Sequence, residues 1–258
     1  MIMNYYLALA CFVLGLLIGS SSLADEPEST HSRLSAWNNT ITPYLWSTGT
    51  HGFLKINDHR ANLDDSFNNF EHPLNLGEGI HAEFRKTPWS LMLDPAYAHT
   101  TQLIYSDNIR AKATMKSIII DGGAYYEIMS KAARRKDSKV SLELFGGGRI
   151  MSLDSTIYYY QQNPTQTDTS GFIVPLLGAR FQYHFNHRLQ SWINGDFGGF
   201  QINHVATTWS AMAGINYDMT QKYGLTLAYR ALGVHYYRKV ATVNTIVHGL
   251  MLGVRIAA

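Results

Sequence analysis

The sequence predicts an all-β protein, a single antiparallel transmembrane up-and-down β-barrel of about ten strands. Two observations support this prediction. Hydrophobic side chains alternate with polar or charged ones through the second half of the chain, and no segment after residue 24 approaches eighteen consecutive apolar residues. A period of two is typical of a strand with one face toward lipid and one toward a polar lumen, whereas a membrane-spanning helix needs about 20 apolar residues. The pattern therefore favours strands and argues against helical insertion.

The register of the strands is clearest at the C-terminus. Residues 245–256 place Ile246, Leu250 and Leu252 on the face that we expect to meet lipid, with Thr245 and Arg255 on the other face. The same alternation predicts nine further strands, at residues 223–231, 205–217, 188–201, 171–185, 139–151, 110–129, 89–102, 77–86 and 37–47. Ten strands would return both termini to the periplasm, as even-numbered bacterial barrels do.

The strand count stays open in one region. Within residues 49–76, the segments 53–57 and 61–67 can form an extra hairpin, so twelve strands is an alternative and eight is another. Short connectors at 86–88, 130–138, 186–187 and 218–221 fall on one side of the sheet and are predicted as periplasmic turns. The long polar connector 152–170 falls on the other side and is predicted as an extracellular loop.

The first 24 residues differ in composition from the rest. An apolar run from Leu7 to Ile18 is followed by the small residues Ser22 and Ala24, which predicts a secretory signal cleaved after Ala24. Residues 25–36 would then be a periplasmic leader and residues 37–258 the barrel. No Lys or Arg precedes the apolar run, which departs from the usual signal. Cys11, the only cysteine, lies in this segment, so no disulfide or thiolate metal site is predicted in the barrel.

Charge and aromatic placement fit a membrane protein better than a nucleic-acid-binding one. The chain has 21 basic and 19 acidic residues, so no nucleic-acid partner is predicted. The basic run 131–139 is interpreted as a solvated turn.

Many aromatic residues lie near predicted strand ends, as interfacial girdles require. They are Tyr44, Trp46, Trp89, Tyr97, Tyr105, Tyr126, Phe185, Tyr217, Tyr223 and Tyr236.

Charged residues on the predicted inward faces of the strands would line the lumen. The acids are Glu83, Asp94, Asp121, Glu127, Glu143 and Asp196, and the bases are Arg85, Arg149, Arg180, Arg230 and Arg255. An unpaired charge in such an interior costs several kcal/mol, roughly, so these groups should pair. A cross-lumen salt-bridge network is one interpretation, and a narrow pore selective for small polar solutes is the other. Wide porin activity is not expected, because a barrel of about ten strands has little free interior.

Several short motifs carry a resemblance. The TPYLW motif at residues 42–46, the GDFGGF motif at 195–200 and Tyr229-Arg230 together resemble a broad family of bacterial outer-membrane β-barrel proteins of poorly defined function. The resemblance implies a Gram-negative outer-membrane location, contact with outer-membrane lipid and lipopolysaccharide, and insertion by the barrel-assembly machinery. The chain departs from this family at its end, because such barrels commonly finish on an aromatic residue and this one finishes Ile256-Ala257-Ala258. That departure concerns assembly rather than fold.

Enzymatic chemistry is not predicted. The histidines near predicted loops follow no metal-ligand or triad spacing, and no Gly-x-Ser-x-Gly motif occurs, so no catalytic residue, metal ligand or cofactor is assigned. These histidines are His51, His59, His72, His99, His204 and His235. Their position motivates one alternative, a lipid-modifying enzyme with its site at the barrel rim. A soluble periplasmic barrel for an apolar ligand is a further alternative, and it would require the apolar face to point inward.

Overall fold

The computed structural model describes residues 37–56, 59–65, 75–106, 109–133, 138–160, 165–238 and 241–257. The predicted signal segment and leader lie outside these residues. The strands, in chain order, are β1 (Asn38–Ser47), β2 (Gly49–Ile56), β3 (His59–Asp65), β4 (Leu76–Lys86), β5 (Trp89–Ser106), β6 (Ile109–Ala132), β7 (Lys139–Tyr159), β8 (Gln166–His184), β9 (Leu189–Gly199), β10 (Val205–Asp218), β11 (Tyr223–Tyr237) and β12 (Ala241–Ala257). Within the described ranges, no helix has the length and apolar character to cross a membrane.

Ten of these strands close into a barrel. β1 pairs with β4 along one edge and with β12 along the other, and β4 to β12 pair in sequence order. All pairings are antiparallel, and closure leaves no free edge in the barrel wall. The predicted ten-stranded barrel is therefore confirmed. We call the end that carries the short turns 87–88, 185–188 and 219–222 the turn end, and the opposite end the loop end.

Residues 49–65, for which the sequence allowed an extra hairpin, form one at the loop end of the barrel wall. β2 continues the line of β1 after Thr48 and pairs with β12 from His248 to Ala241, and β3 returns along β2. The sheet therefore has twelve strands, but the extra two extend the wall at the loop end and do not widen the barrel.

A belt of apolar side chains covers the outside of the barrel on the turn-end side. Leu177, Ile193 and Leu252 each expose about 60% of their surface, at 64%, 61% and 59%. The predicted phase of alternation matches these exposures along β8, β9 and β12. The exterior is thus the apolar face, which is the opposite of what a soluble barrel for an apolar ligand requires.

Toward the loop end, the apolar side chains move from the outer face of the wall to its inner face. On β7, Leu144 and Ile150 point outward and are 51% and 47% exposed, but Leu153 and Ile157 point inward and are almost fully buried. β6 is 24 residues long and β7 is 21, whereas a strand of about 9–11 residues crosses a bilayer. The walls therefore continue beyond the apolar belt as a barrel with apolar side chains inside and polar ones outside.

This inversion explains why the predicted loop 152–170 is wrong. Most of that segment is strand, because β7 runs to Tyr159 and β8 begins at Gln166. Leu153 and Ile157 supply the apolar positions, but on the inward face. The rule that apolar side chains face lipid therefore predicts that the strand ends at Met151.

Part of the predicted aromatic girdle is also wrong. Trp89, Tyr126, Phe185, Tyr217 and Tyr223 are exposed around the turn end, as expected for a girdle. Tyr44, Trp46 and Tyr236 instead lie inside the barrel with exposures of 4%, 0% and 2%. The physical reason is that side chains alternate along β1. Leu45 faces outward, so Tyr44 and Trp46 on either side of it face inward. The side chain of Tyr105 lies outside the described set.

Candidate functional site

The lumen holds two groups of ion pairs at different heights, and the upper one is centred on Arg149. The Arg149 guanidinium donates from Nε and Nη2 to the two carboxylate oxygens of Asp121, at 2.7 and 2.9 Å. It also donates from Nη2 to Asp196 at 3.2 Å and from Nη1 to the Thr208 hydroxyl at 2.8 Å. Arg149 exposes none of its surface. One side chain therefore ties β7 to β6, β9 and β10.

Arg230 completes this upper cluster from the opposite wall. Its Nη2 donates to Asp121 at 3.2 Å and its Nη1 donates to the Tyr44 hydroxyl at 3.1 Å. The Tyr44 hydroxyl in turn donates to Asp94 at 2.6 Å, and the Arg230 guanidinium lies over the Trp46 ring at 5.2 Å. Arg230, on β11, is thereby connected to β6, β1 and β5.

The lower cluster consists of two arginines and two glutamates. Arg180 donates from Nη1 and Nη2 to both oxygens of Glu83, at 2.9 and 2.8 Å, and from Nε to Glu143 at 2.6 Å. Arg85 pairs with Glu143 at 2.8 Å and with Glu83 at 2.9 Å. The Arg180 guanidinium also stacks on the Tyr125 ring at 3.9 Å. This bidentate and stacked geometry is specific to arginine.

His81 joins the two clusters. Its Nδ1 lies 3.1 Å from Asp94 in the upper cluster and its Nε2 lies 3.7 Å from Glu83 in the lower cluster. Together the clusters hold five carboxylates and four guanidinium groups, and His81 is placed where it can supply a fifth positive charge. The arrangement brings the interior close to neutrality, which reduces the cost of burying so many charges.

Apolar side chains fill the barrel above the upper cluster. The Phe172 and Tyr236 rings stack there at 5.6 Å. We call these two rings and their neighbours the apolar plug, which consists of Ile157, Phe172, Val205, Leu232, Val234, Tyr236 and Val243, all at most 5% exposed. Within the described residues, the interior at this height is mostly hydrocarbon, with the buried hydroxyls of Ser170 and Thr245 among the apolar side chains. A hydrated ion would have to lose its water to pass.

At the turn end the lumen opens into a cavity of about 520 Å³, and Glu83, Arg85 and Arg180 of the lower cluster lie in its wall. The residues around it include strand ends at the turn end, such as Asn38, Lys139 and Ala257, and it reaches upward to Tyr44 and Asp94. We call this space the turn-end cavity. From the turn end to the loop end, the lumen thus changes from a polar cavity bordered by the ion pairs to the apolar plug.

The structure places nine of the eleven proposed lumen-lining residues in the two clusters. They are Glu83, Arg85, Asp94, Asp121, Glu143, Arg149, Arg180, Asp196 and Arg230. Arg255 lies apart at the turn end, where it pairs with Asp218 at 2.9 Å. Glu127 also lies apart and faces Lys139 at 3.7 Å.

Sequence reasoning missed several members of the clusters. The position of Tyr44 and Trp46 near a strand end predicts a girdle, and the sequence pattern gives His81 and Thr208 no site role. The alternation of side chains along the strand is enough to place His81 in the lumen, because it occupies the same face of β4 as Glu83 and Arg85. Tyr44 likewise shares the inward face of β1 with Thr42, which is 7% exposed.

The histidines near the loop end do not converge on one site. His51 pairs with Asp64 at 2.6 Å and stacks on His248 at 4.8 Å, on the outer surface. His99 contacts Thr101, and His235 lies beside Tyr237. His72 and the side chain of His59 lie outside the described residues. In the part that is described, no group of three or more His, Cys, Asp or Glu residues is arranged to hold a metal ion.

Comparisons with known proteins give structural matches only. No family model matches the chain, and no curated protein does. A major outer membrane protein from Thermus thermophilus is 14% identical, with 86% of this chain and 100% of that chain covered and a TM-score of 0.39. The transport unit of the autotransporter AIDA-I from Escherichia coli is 8% identical, with 92% and 94% covered and a TM-score of 0.39. The attachment invasion locus protein Ail of Yersinia pestis is 11% identical, with 87% and 99% covered and a TM-score of 0.34.

These likenesses are distant, and the architecture is established by the chain's own geometry. Ten antiparallel strands close without a free edge, their outer surface carries an apolar belt, and their inner surface carries buried ion pairs. Closed barrels of this kind are one of the two structures that satisfy every backbone hydrogen bond inside a bilayer. By these features the chain has the architecture of a transmembrane β-barrel.

Proposed function

We propose that this protein is an integral protein of the bacterial outer membrane with a structural role, and that its lumen is closed to solutes. The observation that carries the proposal is the apolar plug stacked on two clusters of buried ion pairs. A solute would have to displace packed apolar side chains and separate paired charges to cross the barrel.

The apolar belt supports the membrane location. Exposed leucine and isoleucine side chains surround the barrel below the height at which the alternation inverts, and aromatic residues ring the turn end. Lipid on the outside explains the lower part, and water on the outside explains the inverted part. Outer-membrane lipid and lipopolysaccharide are therefore the partners we propose for the belt, and the barrel-assembly machinery is the partner we propose for insertion.

The ion pairs support the closed lumen. Removing one partner of a buried ion pair costs about 3–5 kcal/mol, so opening a path through the upper cluster would be costly. Arg149 alone contacts three other strands, which makes a local rearrangement difficult. The narrow pore for small polar solutes remains the competing proposal, because the same clusters would act as its filter if the plug moved.

Single-channel recording in planar bilayers tests the closed lumen. The protein should first show the faster unboiled band of a folded barrel in the outer-membrane fraction. A folded sample is expected to give no conductance steps, while a wide porin in the same lipid gives steps as the positive control. Reproducible small steps from the folded sample would overturn the closed lumen and favour the narrow pore.

We also propose that the protein is not an enzyme. The support is the scatter of the loop-end histidines, in which His51 and His248 stack on the outer surface and His51 pairs with Asp64. Mass spectrometry of lipid A and phospholipids from cells with and without the protein tests this proposal. Unchanged profiles are expected. A modified lipid species that depends on the protein would favour the rim-site enzyme instead.

A further inference from the structure

The outer surface of β5, β6, β7 and β8 continues beyond the apolar belt as a polar sheet. On β6, the outward positions that follow Ile118 toward the loop end are Lys116, Thr114 and Lys112. Met115, between two of them, points inward and is 4% exposed. We call this surface the loop-end face, and it consists of the outward residues within 99–101, 112–116, 154–156 and 167–169.

Two lysines give the loop-end face an excess of positive charge. Lys112 and Lys116 are both exposed, and within the part of the chain that the structure describes neither of them forms an ion pair. Asp154 is the direct cross-strand partner of Lys116 and supplies one carboxylate against the two ammonium groups. The arginines of the lumen are all paired, whereas these lysines are available to an anionic partner outside the barrel.

A row of threonines crosses the loop-end face at the height of Thr114, between the two lysines. The row consists of four residues, each the direct cross-strand partner of the next, which are Thr101, Thr114, Thr156 and Thr167. The hydroxyls are 3.4 Å apart in the first two and in the last two. Strands are spaced by about 4.8 Å, so the row is about 14 Å long. A hydroxyl has one donor and two lone pairs, so each can still bind a sugar hydroxyl.

The two lysines lie at different heights above the belt. Lys116 is two residues beyond Ile118, and Lys112 is four residues farther. Four residues extend a strand by about 13 Å, which is about 10 Å in height for a strand tilted by about 40°. A phospholipid carries its phosphate directly above its acyl chains, so it reaches the level of Lys116 only. A lipid that also reaches Lys112 must carry anionic groups on sugars that project beyond the membrane surface.

From these observations we infer that the loop-end face binds an anionic glycolipid, a lipopolysaccharide molecule whose acyl chains lie on the apolar belt. Its phosphate nearest the acyl chains pairs with Lys116, its sugar hydroxyls bond to the threonine row, and an anionic group on its inner sugars pairs with Lys112. The inference rests on the proposed outer-membrane location with the loop end at the outer leaflet. It assigns recognition of the lipid head group to one part of the barrel wall.

Native mass spectrometry of the folded protein tests the inference. The protein is purified in a polyoxyethylene detergent, which has no phosphate or sugar that would compete. The probes are deep-rough lipopolysaccharide, in which acidic sugars extend from a phosphorylated lipid A, then lipid A alone, and phosphatidylglycerol. One molecule of deep-rough lipopolysaccharide is expected to bind saturably, at least about tenfold more tightly than phosphatidylglycerol.

Single glutamine variants separate the two heights. Lys116→Gln should weaken the binding of lipid A and of deep-rough lipopolysaccharide about threefold to fivefold, because both carry the phosphate nearest the acyl chains. Lys112→Gln should weaken only deep-rough lipopolysaccharide, by a similar factor, because lipid A alone has no acidic sugar at that height. Together the two substitutions should weaken deep-rough lipopolysaccharide about tenfold.

The matched control removes the same charge from the other end of the barrel. It combines Lys131→Gln with Lys222→Gln, since both lysines are exposed near the turn end. This control should change the affinity for deep-rough lipopolysaccharide by less than about twofold. Every variant must keep the faster unboiled band of the folded barrel. All of these substitutions lie on the exposed surface and leave the two clusters intact.

Three results would overturn the inference. One is the absence of saturable binding of deep-rough lipopolysaccharide to the folded protein, and another is equally tight binding of phosphatidylglycerol. The third is an equal loss of affinity in the loop-end double variant and the turn-end control. None of these results depends on conductance or on the membrane fraction that holds the protein. Failure of the lipopolysaccharide site is therefore distinguishable from failure of the closed lumen or of the outer-membrane location.

Discussion

Arg149 and Asp121 are direct cross-strand partners, joined by two hydrogen bonds of 2.7 and 2.9 Å between β7 and β6. The next pair of strands repeats this relationship, because Glu143 and Arg180 are direct partners between β7 and β8. Strand pairing itself thus places an acid beside a base at two levels of the lumen. Contacts across the lumen then join these pairs into the two clusters.

Arg149→Met should destabilise the barrel by about 3–5 kcal/mol, because it leaves Asp121 and Asp196 buried with fewer positive partners. Urea unfolding in lipid vesicles, followed by loss of the faster unboiled band, measures the effect. Lys139→Met is the control, since that lysine side chain is 50% exposed and lies 3.7 Å from Glu127. The control should change stability by about 0–1 kcal/mol. Equal effects of the two variants would contradict a dominant role for the upper cluster.

Arg180→Lys should cost about 1–3 kcal/mol although the charge is kept. A lysine ammonium cannot hold both oxygens of Glu83, reach Glu143 and stack on Tyr125 at once. The same urea titration measures the loss. A comparison with Arg180→Met separates geometry from charge, and the prediction would fail if lysine restored the full stability of the natural residue.

Gly147→Ala and Gly146→Ala should differ strongly although the glycines are neighbours on β7. A Cβ on Gly147 would clash with the Gly122 carbonyl oxygen and meet the Phe145 ring at 2.7 Å, whereas a Cβ on Gly146 meets nothing within 4 Å. Overpacking of this kind costs about 1–3 kcal/mol. Gly147→Ala should therefore lower the yield of folded barrel and its urea midpoint, and Gly146→Ala should not. Similar behaviour of the two variants would argue against the close approach of β6 and β7.

Leu252→Arg tests the apolar belt. Leu252 is 59% exposed on the outer face of β12, and arginine at the middle of a bilayer costs about 2–4 kcal/mol. Asn244→Arg is the control on the same strand and the same outer face, but beyond the height at which the alternation inverts. The fraction of each variant that folds into vesicles is the measurement. We expect a clear loss for Leu252→Arg only, and an equal loss for both would place the belt boundary elsewhere.

By itself, the sequence determined the strands and their faces. A side chain's parity along a strand is a local property, so alternation at residues such as Leu250, Leu252 and Arg255 identifies the outward and inward positions without knowledge of the rest. The ten-stranded closure and the short turns followed from the same pattern. Strand ends at the loop end could not be predicted in this way, because the apolar face there changes from the outside to the inside.

The tertiary structure alone decided which charges meet. Glu83 and Arg180 are 97 positions apart and lie on strands that are not neighbours, yet they form a bidentate pair. Such contacts depend on the register of every strand between them and on closure of the barrel, neither of which parity encodes. The same is true of Tyr44, whose hydroxyl joins Asp94 to Arg230 only because barrel closure pairs β1 with β12 and leaves that one strand between β1 and β11. Local chemistry therefore specified the wall, and the closed barrel specified what fills it.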